Sequence, residues 1–571
     1  MSSSTLSSFS VGWDRSHHNC FSVPQTIAVN ELWRIPMQTI EVIAQILKQE
    51  GIEYLSAFPT TPVIEAAATA GIRPIICRQE RVGVGIGDGS ARVKNGRPPG
   101  VFAMQYGPGA ENAFAGVATS FSDAVPILFL PLGHPREREG VYPMFSSMQS
   151  YASVTKYIEQ INAPERVVET MRRAFAALKR GRPGPVMVEI PADVAVAEVD
   201  PSIAAGYRSP KATTTGGNAQ DILEAAKVLL DAEHPIIHAG QGVLYAEASD
   251  ALVELAELIQ APVMTTMAGK SAFPEKHPLA LGSGSSVMSR PVYHFMSQAD
   301  VVFAVGTSLT KHGMVMNVPA VKTLIHATND AIDLDKNYAV AHPILGDAKP
   351  VLQQFIAACK DLLSTRQRGQ RAVAQEIASV RQEWLNEWMS TLTRTEAPIT
   401  PYRVIWEFMQ NINPNEAIVT HDSGSPRDQL MPFYQAGGPR TYLGWGKSHG
   451  LGTGLGLNIG AKLAAPDKFV VNFMGDAAFG MTGLDFETAV RSNIPVLTVV
   501  FNNSTMAIET AAMAQSHELF NTRDLGGNYA DLGRAMGGWA ERVEDPADVS
   551  AAILRAKHAT ENGQAALLEF I

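Results

Sequence analysis

Two apolar runs near the C-terminal end, 469–474 (FVVNFM) and 495–501 (PVLTVVF), flank a helix-length stretch at 483–492. This constrains the chain more than any other feature, because strand, helix and strand at that spacing make a parallel βαβ unit. Both strands then end at one sheet edge. Gly475-Asp476-Ala477-Ala478 after the first strand and Asn502-Asn503 after the second converge there. A hard cation takes a carboxylate, an amide oxygen, a backbone carbonyl and phosphate oxygens, which such a corner offers. Gly475 lets the backbone turn closely, and the N–H groups after it can face phosphate. Gly87-Asp88-Gly89 imitates the motif, but 27 residues past Asp88 stands Ala115, so that copy reads as part of a helix.

The same strand–helix alternation recurs from about residue 37 onward in this chain of 571 residues and predicts an α/β class with three domains, each a mostly parallel sheet flanked by helices. The boundaries read as 37–205, 218–365 and 395–571, with a loose linker at 209–217 and a charged helical stretch at 366–387. Residues 1–36 are Ser-rich, carry His17-His18 and lack the basic start and apolar core of a signal peptide. They read as a disordered extension, or as an overlong start ahead of Met37. A net charge of −10 argues against a nucleic-acid partner, and no apolar run approaches 18 residues, so no membrane span is expected. Cys20, Cys77 and Cys359 form no CxxC, which fits a reducing, cytoplasmic compartment without disulfide framework or zinc site.

The Gly-Asp…Asn-Asn pattern resembles the signature of thiamine diphosphate (ThDP) enzymes, and its surroundings are most similar to the acetolactate synthase large-subunit group, over roughly residues 38–571. Where relatives often carry a third-position Gly, this chain has Ala477. The resemblance implies ThDP and Mg²⁺ as cofactors, a ThDP-binding fold in the first and third domains, and a Rossmann-like middle domain. It implies Asp476, Asn503 and the main-chain carbonyl of Thr505 as metal ligands, with Gly475, Ala477 and Ala478 beside the diphosphate. In Cys77-Arg78-Gln79-Glu80 it assigns Glu80 as the acid against N1′ of the aminopyrimidine, with Gln79 where relatives have His. Read alone, Glu80 is a carboxylate favoured at a helix N-terminus. Gly107-Pro108-Gly109-Ala110-Glu111-Asn112 matches the loop near the pyrimidine, preceded by Tyr106 in place of Ser. Gly450 is implied as acceptor of the 4′-amino hydrogen bond, Leu451 as the apolar wedge that bends ThDP, and Gly424 and Ser425 as diphosphate neighbours. Substrate contacts fall to Tyr106, Phe121, Gln149, Ile508 and Ala512.

The departures bear on substrate. The stretch Thr307-Ser308-Leu309-Thr310-Lys311-His312 lacks the Arg that grips a second 2-oxo acid in acetolactate synthases. Glu509 replaces an apolar residue and Ala512 a Trp, which predicts a wider pocket with an extra carboxylate able to act as a base. The adjacent histidines of simple 2-oxo acid decarboxylases have no counterpart near the pyrimidine. The expected activity is therefore decarboxylation and carboligation of 2-oxo acids, with a 2-hydroxyacyl-CoA lyase as the alternative and a non-catalytic subunit as a third reading. Gly240-Gln241-Gly242 leaves FAD, ADP, CoA or no ligand open in the middle domain. A homodimer or homotetramer is implied, since Glu80 of one chain serves cofactor held by another. Relatives usually continue past the strand at 565–571 into a segment that helps cover the site.

Overall fold

The computed structural model describes residues 37–319, 323–365 and 372–571. The expected disordered extension at 1–36 lies outside the described residues. Three six-stranded sheets dominate, and every pairing within them is parallel. Across the first sheet the strands are Arg73–Ile76, Tyr54–Ala57, Gly100–Met104, Ile127–Gly133, Val186–Pro191 and Tyr157–Gln160. Across the third they are Tyr442–Leu443, Ala417–His421, Phe469–Gly475, Leu497–Phe501, Ala566–Phe570 and Trp539–Val543. Counted in chain order, both sheets run 2-1-3-4-6-5. The first and third domains thus share one winding without visible sequence similarity. The middle sheet runs 3-2-1-4-5-6, the doubly wound order, with Pro235–Ala239 and Val301–Val305 at the point where the winding reverses. Central strands such as Ile127–Gly133 and Leu497–Phe501 are buried along their whole length, as parallel strands covered by helices on both faces must be.

The first and third domains meet along helices Glu80–Val93 and Thr453–Ala464, both Gly-spaced. A Cβ on Gly89 would stand 2.2 Å from the Leu457 carbonyl oxygen, and one on Gly460 1.9 Å from that of Ile86. The helices touch backbone to backbone, which only glycine permits. Asp88 lies buried in the first helix, paired with Arg92 and accepting from Ser120 Oγ at 2.8 Å, so Gly87-Asp88-Gly89 is indeed helical. We expect Gly460→Ala to lower the free energy of unfolding by about 1–3 kcal/mol through overpacking. Urea unfolding monitored by circular dichroism measures this, and an unchanged midpoint would contradict the backbone contact.

Two element expectations need correction. The helix expected at 483–492 begins as a 3₁₀ turn at Gly483–Asp485 and continues as a helix at Phe486–Arg491, and an unexpected helix at Asp476–Thr482 precedes it. The Phe479 ring occupies the space beside Gly483, 2.4 Å from where a Cβ would sit, and the chain changes direction there. The helix expected at 366–387 instead spans Val373–Leu392, and 366–371 lie outside the described residues.

Candidate active site

The two strand ends share one edge, as the βαβ argument requires. Strands Phe469–Gly475 and Leu497–Phe501 pair in register, Gly475 against Phe501, and deliver Asp476 and Asn503 to one edge. Asp476 is 3% exposed, and burial holds its carboxyl above the usual carboxylate range, while the backbone amides of Ala477, Ser504 and Asn503 favour its charge. Its Oδ1 accepts the Ala477 N–H at 2.8 Å; its Oδ2 is buried without a hydrogen bond among the described residues. An orphaned carboxylate oxygen is what a cation ligand looks like without its cation. The Ala477 N–H therefore serves Asp476 itself, where sequence reasoning aimed it at phosphate. No Cβ neighbour lies within 4 Å of Gly475, so space opens in front of the loop.

Asn502 is structural. Its Nδ2 donates to buried Glu569 at 2.7 Å and its Oδ1 accepts the Ser504 N–H at 3.1 Å, which shapes the loop that presents Asn503. Asn503 is exposed, its Oδ1 accepting the Thr505 N–H at 3.2 Å. Met506 N–H donates to Arg523 O and Leu525 N–H to Ser504 O, each at 2.9 Å, and neither bond uses the Thr505 carbonyl. No group of three or more His, Cys, Asp or Glu poised for a metal occurs among the described residues. One carboxylate, one amide and one carbonyl fit Mg²⁺ only together with diphosphate oxygens.

Around this corner the third domain gathers its other loops. Gly424, at φ +97°, precedes Ser425, the first residue of helix Ser425–Phe433. Ile508, 59% exposed, lies over Gly424, its Cδ1 3.7 Å from a Cβ built there. The Gly450 carbonyl accepts from Thr453 Oγ1 at 2.7 Å and keeps one lone pair for another donor. Leu451 is half-buried, and its carbonyl accepts from Arg81 of the first domain. Sequence reasoning passed over Asp422. It is fully buried and accepts the Gly452 and Gly454 N–H groups at 2.8 Å each, clamping the Gly450-Leu451 loop to the loop at 422–425. Burial pushes its carboxyl up to about 6 against those hydrogen bonds and Arg81. A carboxylate directly after a strand and facing a Gly-rich helix start was its signal.

Glu80 opens its helix, is 3% exposed, and sits under desolvation that raises its carboxyl, with Asn112 as side-chain hydrogen-bond partner and Asp485 adding negative field. Asp485 holds the preceding turn by accepting the Arg78 N–H at 2.7 Å, and Arg78 Nε meets Glu487 at 2.8 Å. Gly107, at φ +62° with open space around its Cβ position, and Pro108 at the start of helix Pro108–Ser122 frame the same edge. Tyr106 is 39% exposed and its ring lies 4.7 Å from that of His134. Phe121 is 40% exposed, and Gln149 and Ala512 are exposed. Glu509 is half-buried in the 3₁₀ turn Ala507–Thr510. Within one chain the structure thus assembles Asp476, Asn503, Thr505, Gly424 and Ile508. It places Glu80 with Asn112 and Asp485, and leaves Tyr106, Phe121, Gln149 and Ala512 facing outward.

A cavity of about 440 Å³ lies among the three domains. Gly242 lines it and Gly240 precedes that turn, but a Cβ on either would strike the backbone of Gly306 or Thr307, so they serve loop-to-loop packing. Buried His238, on the cavity wall, has no partner for either ring nitrogen.

Family models match all three domains in order: "Thiamine pyrophosphate enzyme, N-terminal TPP binding domain" over residues 37–160, the central domain over 222–355 and the "C-terminal TPP binding domain" over 422–570. The chain belongs to the thiamine pyrophosphate (ThDP) enzymes. It is 30% identical over 492 residues to a probable acetolactate synthase large subunit of Methanocaldococcus jannaschii, covering 83% of this chain and 81% of that one. It is 29% identical over 488 residues to the acetolactate synthase isozyme 3 large subunit of Escherichia coli, covering 81% and 82%. A sulfoacetaldehyde acetyltransferase of Alcaligenes xylosoxydans is 29% identical over 522 residues, covering 86% and 85%. These place this ThDP enzyme in the acetolactate synthase-like group. No described helix is long and apolar enough to cross a membrane.

Proposed function

We propose that this ThDP enzyme depends on Mg²⁺, decarboxylates a 2-oxo acid and joins the remaining fragment to an acceptor. The carrying observation is the buried, unpartnered Oδ2 of Asp476 beside the Asn503 loop. Asp476, Asn503 and the Thr505 carbonyl would hold the cation, which would supply positive charge for the diphosphate. Bound ThDP supplies an electron sink for making or breaking a bond next to a carbonyl. Glu80, kept inclined to its proton by burial, holds that proton at N1′, and the Gly450 carbonyl and Leu451 side chain orient the ring. Tyr106 and Phe121 are exposed on the first domain of one chain, which supports a homodimer in which they and Glu80 meet the cofactor held by the partner, while Ile508 and Ala512 stay with the corner of their own chain. The unpartnered polar groups of the central cavity support a nucleotide there, flavin, ADP or CoA; flavin absorbance of the purified protein tests the first.

A product assay with ThDP and Mg²⁺, comparing pyruvate with a 2-hydroxyacyl-CoA, tests the reaction. Acetolactate or a related ligation product is expected. A formyl-CoA product would favour the lyase reading, which rests on Glu509 following Ile508 in the 3₁₀ turn Ala507–Thr510. Two unit charges about 4 Å apart repel by roughly 4 kcal/mol at an effective dielectric of 20, so a pocket carboxylate disfavours pyruvate and suits a substrate hydroxyl. Under that reading Glu509→Gln abolishes lyase turnover and leaves pyruvate use unchanged or improved; parallel rates on both substrates measure it. No effect on either would place Glu509 outside the chemistry.

A further inference from the structure

The segment 307–312 has no arginine, yet a cation reaches it from another domain. Lys447 lies on the third-domain loop that runs into Gly450-Leu451, and its Nζ stands 3.2 Å from Ser308 Oγ. The Nε2 of His312 is buried without a partner among the described residues, and its ring lies 6.2 Å from that of His449. Lys447 and His312 both line the central cavity, with Trp445 and Gly446 of the loop that leads to Gly450-Leu451. The neighbouring cations are already paired: Arg427 with Asp428 at 2.8 Å, and Arg182 and Lys336 with Asp333 at 3.0 and 2.6 Å. Asp123 pairs with Arg92 at 3.1 Å and takes the Gly446 and Lys447 backbone amides at 3.3 Å. Lys447 makes no ion pair among the described residues. A cationic centre of this kind, beside a buried unsatisfied imidazole nitrogen, is completed by an anion with hydrogen-bond acceptors.

We propose that Lys447, with His312, seats the anionic head group of the substrate, a small carboxylate or sulfonate, in place of the missing arginine. This rests on the proposed 2-oxo acid chemistry and adds a property that arginine cannot give. Burial, reinforced by Arg182 and Lys336 and opposed by Asp123 and Asp333, lowers the Lys447 ammonium to about 8. Burial, then Lys447 and His449, with Arg427 adding to them and Asp123 opposing, hold His312 below its ordinary value. A bound anion stabilises the protonated lysine and raises its pKa. Affinity is therefore full below about pH 8 and falls above it until the raised pKa of the complex is reached, with proton uptake on binding in that window.

The test uses full-length protein freed of ThDP, so that nothing turns over. Pyruvate and sulfoacetate are titrated calorimetrically from pH 7 to 9 in buffers of different ionisation enthalpy. We expect proton uptake and an affinity that falls by up to about tenfold per pH unit above pH 8. Lys447→Met should weaken binding at least about tenfold, the effect of losing one charged partner. Lys447→Arg should keep the binding but lose its pH dependence, since arginine stays charged; it also answers the question if the Met variant does not fold. The tighter of the two ligands names the head group. Unchanged binding in Lys447→Met, or pH dependence retained in Lys447→Arg, overturns the proposal. It is also overturned if Lys447→Met weakens ADP alone, since the cation then serves a nucleotide phosphate. Because no ThDP is present, this result and that of the product assay can fail separately.

Discussion

Glu80→Gln should reduce turnover by roughly 10²- to 10⁴-fold, the range that a positioned proton-transfer group contributes, while ThDP affinity and unfolding stability stay near wild type. The carboxyl is buried, and its neutral form is favoured first by desolvation and further by the negative Asp485. An amide of the same shape keeps the Asn112 contact and the helix start but has no proton to exchange at N1′. Steady-state rates with saturating ThDP, beside a ThDP titration, separate the two effects. Turnover within a few-fold of wild type would remove Glu80 from the mechanism.

Asp476→Ala should weaken Mg²⁺ and ThDP together, by more than the roughly 10- to 100-fold that partners one step removed from a metal cost. The apo protein should behave differently. Asp476 Oδ2 is buried without a partner and burial raises the carboxyl, so at neutral pH this charge opposes folding when no cation is bound. The alanine variant should then unfold no earlier than wild type without cofactors and lose most of the stabilisation that Mg²⁺ and ThDP give together. Thermal unfolding with and without both cofactors reads this directly. Equal cofactor stabilisation in variant and wild type would rule out the clamp.

Physical range decides how much of the fold and the site is legible in the residues. Strand periodicity and the Gly-Asp…Asn-Asn spacing are local, and a parallel crossover forces their ends together, so the Asp476–Asn503 corner was legible from residues alone. Gly-spaced helices announced a close contact but not their partner, because the Gly89 and Gly460 approaches join residues hundreds of positions apart. The same limit hid Asp422, whose meaning lies in the amides of Gly452 and Gly454, and Lys447, which reaches Ser308 from another domain. Gly240 and Gly242 looked like a nucleotide turn, since the pattern that admits a phosphate also admits a neighbouring loop. Tyr106, Phe121 and Ala512 stand exposed on the single chain, so their expected substrate role is not legible from one chain.

Exchange of the ThDP C2 proton for deuterium, read by acid quench and proton NMR, tests the central claim most directly. With Mg²⁺ present, the protein should accelerate exchange by orders of magnitude over free ThDP, and Glu80→Gln should return it close to the free rate. Exchange on the wild-type protein no faster than in solution would contradict the proposed role of Glu80 and the metal corner together.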